Sequence, residues 1–365
     1  MPGVFYLGSS DLSFRWSSAL VTHHLLLLLI YTVDMSSCFY FDRLLRGAST
    51  ILLLALLWSL AAPMGQAQST SEARSPIADR SLVLEQTAEW EGERYESGRP
   101  KVSDQILERM ENVTVEMAWS TLRGYDYHNQ VPGFGHDWVT LDSEEPMVGR
   151  AVTAQYMPTR PSYESRLESG GEDEGFQGPS NTWPIQLLEN GDIYVADGYG
   201  KIKDGTLIGD RLGTDIYSRS QNGVILNGSV RDVTGLKEIE GWNHYIRGTH
   251  PSFIQDMMLE GVNVPIRIGD ATVLPGDVVL AQQNAVVFIP PHLAREVVEE
   301  AEITILTDRF AKVRTEQGVY TSSQMDTGWT QEIKDDFYSW LEENQDELSV
   351  PDRRIQQIID ERLID

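Results

Sequence analysis

Asp210 opens the run Gly209-Asp210-Arg211-Leu212-Gly213 and stands twenty residues ahead of the adjacent pair Arg231-Asp232. Two carboxylates and a guanidinium at that spacing can hold a divalent cation and an anionic substrate in one place. Hard cations such as Mg²⁺ favour carboxylate and water oxygens and often take only one or two protein ligands. Asp232 is therefore read as a direct metal ligand and Asp210 as one acting through water, with Mn²⁺ as an alternative to Mg²⁺. Arg231 carries a planar fork that binds a carboxylate through two hydrogen bonds. A 2-keto acid suits this set. When the carbon–carbon bond next to its keto group breaks, charge collects on the keto oxygen as an enolate, which a cation, an arginine and helix amides can all stabilise.

The surrounding elements must bring these residues together. Leu207 to Ser220 reads as a helix with a glycine-rich start, which places Asp210 in its first turn and leaves the amides of Arg211, Leu212 and Gly213 as unpaired donors at the positive end of the dipole. Such a terminus attracts anions. Gly223 to Leu226 reads as a buried strand, so that Arg231 and Asp232 emerge at the carboxyl edge of a sheet, where α/β proteins bind ligands. Taken singly, each piece has a plainer explanation. Arg-Asp after a strand is commonly a turn or a surface ion pair, Asp210 can be a dipole-favoured helix-terminal carboxylate, and the glycines can serve turns and close packing.

Further strands are expected over Met147 to Tyr156, Asp192 to Ala196, Tyr245 to Arg247, Val264 to Ile268, Val278 to Ala281 and Ala285 to Ile289, with Pro275-Gly276-Asp277 as a turn. Helices are expected from Ser103-Asp104, over Trp183 to Leu188, and from Pro290-Pro291 to about Val313, followed by two short ones around Trp340 and Ile355 to Ile359. Met157 to Ser180, acidic and rich in Gly and Ser, reads as a surface loop. Residues 68–100, polar and without periodicity, read as an extended, loosely packed arm. Strands in the middle with helices around them predict an α/β fold.

Composition narrows the chemistry. A net charge of −26 over 365 residues argues against a nucleic-acid partner, whose affinity draws on clustered Lys and Arg. Arg43 and Arg46 precede the apolar run Ile51 to Ala62, and Gly65-Gln66-Ala67 supplies small residues at a cleavage site, so residues 1–67 read as a signal peptide and the mature chain as exported, periplasmic or secreted. Met35 offers an alternative start, and a retained membrane anchor is the competing reading. Leader charges cancel, and the only cysteine, Cys38, lies within it. The mature chain is thus expected to use no thiolate and, once cleaved, to keep no membrane span.

Gly209-Asp210 and Arg231-Asp232, with Gly223-Val224-Ile225-Leu226-Asn227-Gly228 leading into the second pair, resemble the signature of the RraA-like family. The resemblance runs from about Val102 to Glu300 and takes in Val148-Gly149-Arg150-Ala151-Val152-Thr153, Asn190-Gly191-Asp192-Ile193-Tyr194-Val195-Ala196-Asp197 and Leu274-Pro275-Gly276-Asp277-Val278-Val279-Leu280-Ala281. That family includes metal-dependent 4-hydroxy-4-methyl-2-oxoglutarate aldolases and the RraA regulators of ribonuclease E; older usage calls it dimethylmenaquinone methyltransferase. The resemblance implies a swivelling β/β/α domain assembled as a homotrimer or homohexamer with sites near subunit contacts. It implies that Asp232 binds Mg²⁺ or Mn²⁺, that Arg231 binds the pyruvyl moiety and steadies its enolate, and that Asp210 orients and acidifies a metal-bound water serving as proton donor and acceptor. Gly209 and the amides of Arg211 and Leu212 would contact substrate. A neighbouring chain's acidic residue contributes in the aldolases, and its counterpart is not evident here.

The expected organisation is a leader over 1–67, an arm over 68–100, an RraA-like catalytic domain over 101–313 and a helical extension over 314–365. The expected activity is that of a carbon–carbon lyase, an aldolase or oxaloacetate-type decarboxylase releasing pyruvate. A non-enzymatic protein-binding regulator and a periplasmic binder of small anions are the alternatives. Gln282-Gln283-Asn284-Ala285 departs from the acidic or Asp-Gly pair of many relatives, and export is unexpected for catabolism inside the cell. The cluster Tyr125-Asp126-Tyr127-His128-Asn129 with His136-Asp137 fits no metal motif, and His244, His250 and His292 read as structural.

Overall fold

The computed structural model describes residues 73–132, 138–141, 145–282 and 285–364. Of the chain's two units, Met1–Thr70 and Ser71–Asp365, the second holds all of them. The leader with Met35 and Cys38, the pair His136-Asp137 and Gln283-Asn284 lie outside the described residues. Among the described residues no helix is long and apolar enough to cross a membrane.

The stretch before residue 100 is better ordered than its polarity suggests. Arg80–Gln86 forms a helix (α1) that buries Val83, and Tyr95 and Arg99 are buried beyond it. Arg99 donates two hydrogen bonds to Asp192, at 2.8 and 2.6 Å, with its guanidinium 4.0 Å from the centre of the Tyr95 ring. A charge so far from water needs a partner of this quality, and the pair fastens the segment to the sheet. The expectation of a loosely packed, extended arm is corrected for residues 73–100. Next come Asp104–Met110 (α2) and Val115–Gly124 (α3). The second was not foreseen, although Thr114 caps it by accepting from the Met117 amide.

A nine-stranded sheet forms the centre among the described residues. Its members are Val139–Thr140 (β1), Met147–Pro158 (β2), Asp192–Asp197 (β3), Thr206–Ile208 (β4), Val224–Val230 (β5), His244–Thr249 (β6), Met257–Val262 (β7) and, after a separate hairpin of Ile266–Ile268 (β8) and Ala271–Val273 (β9), Val278–Gln282 (β10) and Ala285–Ile289 (β11). The order is β1-β6-β5-β3-β2-β10-β11, with β4 beside β5 and β7 beside β2. Strands β2, β3, β5 and β6 run parallel.

Alternation assigns the two faces. Ala151, Ile193, Val195, Ile225 and Tyr245 pack against the β8–β9 hairpin. Their neighbours Val152, Tyr194, Ala196, Leu226 and Ile246 pack with Trp183, Ile185 and Ile216 from the helices on the other side. Both faces are covered, which is why β3 and β5 are nearly continuous apolar runs. The connecting helices are Pro161–Asp173 (α4), Trp183–Gln186 (α5), Asp210–Ser220 (α6) and Val233–Lys237 (α7).

Two local expectations fail here. The Gly- and Ser-rich stretch expected as a loop is largely the helix α4, which buries Leu167, Gly170 and Gly171. A β-carbon at either glycine would collide with the Arg74 backbone or the Trp183 ring, so these glycines serve close packing. Leu207 belongs to β4, paired with β5, and the helix expected from there begins at Asp210.

Ala294–Glu316 (α8) is followed by Ser322–Met325 (α9), Gln331–Asn344 (α10) and Asp352–Glu361 (α11). Val297, Val298 and Ala301 of α8 pack with α2, α3, β10 and β11. Leu306 and Phe310, farther along, join Phe337, Trp340, Leu341, Ile355 and Ile358 in a separate core.

Candidate active site

Strand β5 delivers Arg231 and Asp232 to its carboxyl end. The Arg231 amide donates to the Ile208 carbonyl at 3.1 Å, tying the exit of β5 to the exit of β4, and the Leu236 amide donates to the Asp232 carbonyl at 3.1 Å. Between those two anchors Asp232 adopts a left-handed conformation, φ 55° and ψ 38°. That region costs a residue with a side chain roughly 1 to 3 kcal/mol, least for Asn and Asp.

Gly209, the residue before α6, meets this turn directly. Its own backbone is extended, but a β-carbon there would lie 2.6 Å from Asp232 Oδ2 and 3.1 Å from Arg231 Cγ. Glycine therefore lets the head of α6 touch both side chains. On the far side, a β-carbon at Gly235 would lie 2.7 Å from Asp210 Cβ and 2.8 Å from Asp210 Oδ2. Two glycines thus bring α6 and α7 close enough to gather Gly209, Asp210, Arg231 and Asp232, as the spacing predicts.

The charges are open to ligand. Arg231 and Asp232 side chains are 44% and 45% exposed, and Arg231 Nε is 3.5 Å from Asp232 Oδ2. Such a contact leaves most of the guanidinium fork available. The amides differ from expectation: Arg211's donates to Asp210 Oδ1 at 2.8 Å and Gly213's to the Gly209 carbonyl at 2.9 Å. Of the three, only Leu212's is unengaged among the described residues. Asp210 thus occupies part of the donor set that was expected to be unpaired.

Among the described residues no three His, Cys, Asp or Glu side chains gather into a metal cage. The carboxylates at hand are Asp232 and Asp210. One or two carboxylates with water is a donor set that Mg²⁺ accepts and a thiophilic metal does not, so the residues fit the cation their sequence suggests.

Sequence reading missed Gly235 and the Ile208 carbonyl. The glycine was visible in Val233-Thr234-Gly235-Leu236, but nothing local says that a neighbouring helix abuts it. It also left unremarked the buried Asp197, which accepts from Asn227 Nδ2 at 2.7 Å, the Tyr199 amide at 2.9 Å and Gln155 Nε2 at 3.2 Å. That network ties β2, β3 and β5 together. His244 and His292 have partners within the fold. His244 is buried, accepts from Trp242 Nε1 through Nδ1, and is pushed down to about 4, by burial first and then by Lys237. His292 Nε2 lies 3.2 Å from the Tyr127 hydroxyl. Gln282 accepts from the Val115 amide and so helps to cap α3.

The chain belongs to the RraA-like family: the Aldolase/RraA model matches residues 101–288. A Hahella chejuensis protein provisionally named 4-hydroxy-4-methyl-2-oxoglutarate aldolase is 30% identical over 105 residues, 29% of this chain and 63% of that protein. Protein DlpA of Legionella pneumophila is 27% identical over 181 residues, 47% of this chain and 26% of DlpA. The chain thus spans about a quarter of DlpA and less than two thirds of the Hahella protein. In fold it is similar to RraAS2 of Streptomyces coelicolor, an unusual member of the RNase ES inhibitor RraA family, with a TM-score of 0.50 and 23% identity over 60% of this chain and 100% of that one. An uncharacterised Pseudomonas syringae protein matches with a TM-score of 0.50 and 20% identity over 62% and 100%.

Proposed function

We propose that this chain is a divalent-metal-dependent lyase that cleaves a 2-keto acid of the 4-hydroxy-4-methyl-2-oxoglutarate or oxaloacetate type to pyruvate. The observation that carries the reading is the contact of Gly209 with both Arg231 and Asp232, which sets a cationic fork, a strained carboxylate and a helix terminus around one point. Names borne by relatives such as the Hahella protein support it.

Arg231 binds the substrate through its carboxylate and keto oxygens, the planar fork fixing orientation as well as charge. The Leu212 amide and the positive end of α6 add a weaker attraction for the same anion. A bound Mg²⁺ or Mn²⁺, held by Asp232 directly and by Asp210 through water, would supply Lewis-acid polarisation of the keto group. In the aldol substrate the 4-hydroxyl loses its proton, the C3–C4 bond breaks, and the electron pair passes through C3 to the keto oxygen. Arg231, permanently protonated, stabilises that enolate without giving up a proton. Asp210 orients the water through which the hydroxyl proton leaves and a proton returns to C3, giving pyruvate and a second carbonyl compound. In the oxaloacetate type carbon dioxide leaves in place of that compound.

The proposal extends to export under the 1–67 leader, and to a homotrimer or homohexamer in which a neighbouring subunit completes the half-exposed site. Pyruvate release from 4-hydroxy-2-keto acids and oxaloacetate, measured with Mg²⁺ or Mn²⁺ and with chelator, tests it. Turnover is expected to require the cation and to vanish in Asp232→Ala; full activity in that variant removes the site assignment. Metal binding without turnover on any of these substrates points instead to a binding protein for small anions.

A further inference from the structure

A second cavity, of about 280 Å³, opens where the end of α1, the segment after α3 and the turns flanking β10 and β11 meet. It lies just below the ~300–1,000 Å³ of small-molecule sites and so suits only a small ligand. Trp90, Tyr127 and His292 line it together with Gln86, Asp277 and the exposed Glu89. Among the described residues no Lys or Arg lines it.

Asp277 is the unusual member. Its residue is 2% exposed, and its carboxyl accepts one hydrogen bond, from the Leu274 amide at 2.8 Å. Among the described residues it has no ion-pair partner. Gln86 Oε1 is a second buried acceptor, without a donor among the described residues. Buried acceptors left in this condition cost folding energy. The rings are otherwise committed: the Trp90 indole N–H donates to the Glu93 carbonyl at 2.8 Å, and the Tyr127 hydroxyl lies 3.2 Å from His292 Nε2. Burial pushes the Tyr127 hydroxyl up, and Glu89 and Asp277 reinforce the shift, in that order. Both carboxyls are therefore felt at the same ring.

Polar acceptors, aromatic residues and a buried carboxyl line a cavity that, among the described residues, has no positively charged side chain in its lining. We propose that this cavity binds a small organic ammonium ion, with the Trp90 and Tyr127 rings against its alkyl groups and Asp277 and Glu89 as counter-charges. Cations seated on aromatic faces gain roughly 0.5 to 2 kcal/mol, more as water is excluded. A bare metal ion would need several oxygen ligands at short range, which these walls do not offer. A neighbouring hollow that shares Trp90 and His292 is lined by both signs of charge, Lys101 and Arg295 with Glu93 and Glu296.

Proton release gives an independent sign of occupancy. Burial pushes the Asp277 carboxyl up to about 8, so the empty site holds a proton near neutrality, and an incoming ammonium displaces it. Glu89, His292 and Tyr127 are the other titratable groups at the cavity.

The test is calorimetric titration of the full chain at neutral pH with choline and ethanolamine, and with 3,3-dimethylbutan-1-ol as the neutral match to choline in shape. At least one cation is expected to saturate the chain with proton release, seen by repeating the titration in buffers of different ionisation enthalpy. The alcohol is expected to bind at least about tenfold more weakly than choline. Trp90→Leu, which keeps the apolar bulk and loses the ring, should weaken cation binding about fivefold or more, and Asp277→Asn should abolish the proton release. Equal binding of alcohol and choline overturns the proposal, as does failure of both cations to saturate the folded chain. Should Asp277→Asn not fold, the alcohol comparison and Trp90→Leu still decide.

Discussion

Asp232 Oδ2 lies 2.6 Å from where a β-carbon on residue 209 would stand. The head of α6 and the Asp232 carboxylate therefore share a space that only glycine leaves vacant. Gly209→Ala is expected to displace Asp232 and to lower pyruvate-forming turnover at least about tenfold, since a shift of about 1 Å in a positioned group has effects of that order or larger. Residue 209 already has extended backbone, so alanine adds no backbone strain and the melting temperature should change little. Unchanged turnover with a folded chain would show that the contact does not position Asp232.

Arg231 tests the fork rather than the charge. Arg231→Lys keeps a cation at the end of β5 but loses paired, coplanar donors. We expect KM for the keto acid to rise and kcat to fall together, for a combined loss in kcat/KM of about 100-fold or more, corresponding to roughly 3 kcal/mol of charge-assisted hydrogen bonding. Steady-state kinetics with a saturating cation measures both terms. A lysine variant as active as the parent would reduce Arg231 to a point charge.

Asp192 accounts for two buried guanidiniums. Arg99 binds it at 2.6 Å and Arg150 Nε stands 3.6 Å away. Removing Arg99 leaves Asp192 with Arg150, whereas Asp192→Asn strands Arg99 and leaves Arg150 with Asp104 as its charged partner. We expect Asp192→Asn to cost more than Arg99→Met, the former about 3 to 5 kcal/mol, by chemical denaturation. The reverse order would mean that Arg150 is neutralised by its other partners, chiefly Asp104 at 2.8 Å.

Asp277 and His244 set opposing pH slopes. For Asp277, raised from 3.8 to about 8, the stabilising neutral form is fully available below pH 3.8, and its contribution is lost as pH rises through about 8. For His244, lowered from 6.5 to about 4, the contribution is present above pH 6.5 and is lost as pH falls through about 4. The stability of Asp277→Asn relative to the parent should therefore grow between about pH 4 and 8 and level off above, His244 cancelling in the difference. A difference that is flat with pH would mean that the Asp277 carboxyl ionises in contact with water.

The long apolar runs were readable because β3 and β5 are covered on both faces, and the candidate site residues come together because Gly209 and Asp210 follow one strand, β4, and Arg231 and Asp232 follow its partner, β5. What escaped depends on contacts distant in sequence. Gly170 and Gly171 look like loop residues until Arg74 and Trp183 are found against them. Leu207 and Ile208 are too short a run to tell a strand from the start of a helix, and pairing with β5 decides. Pro275-Gly276-Asp277 is a turn on sequence alone, yet its glycine lies against Pro100, far earlier in the chain. The unpaired amides at α6 were overestimated because Asp210 turns back on Arg211.

Helix α8 is a single rod of 23 residues, about 35 Å long at the usual rise. One end is set into the main core at Val297 and Val298, the other into the aromatic cluster at Phe310, Phe337 and Trp340. The tail's aromatic core and the main core therefore hang on one helix, and that helix meets the sheet at β10 and β11, on the side away from β5.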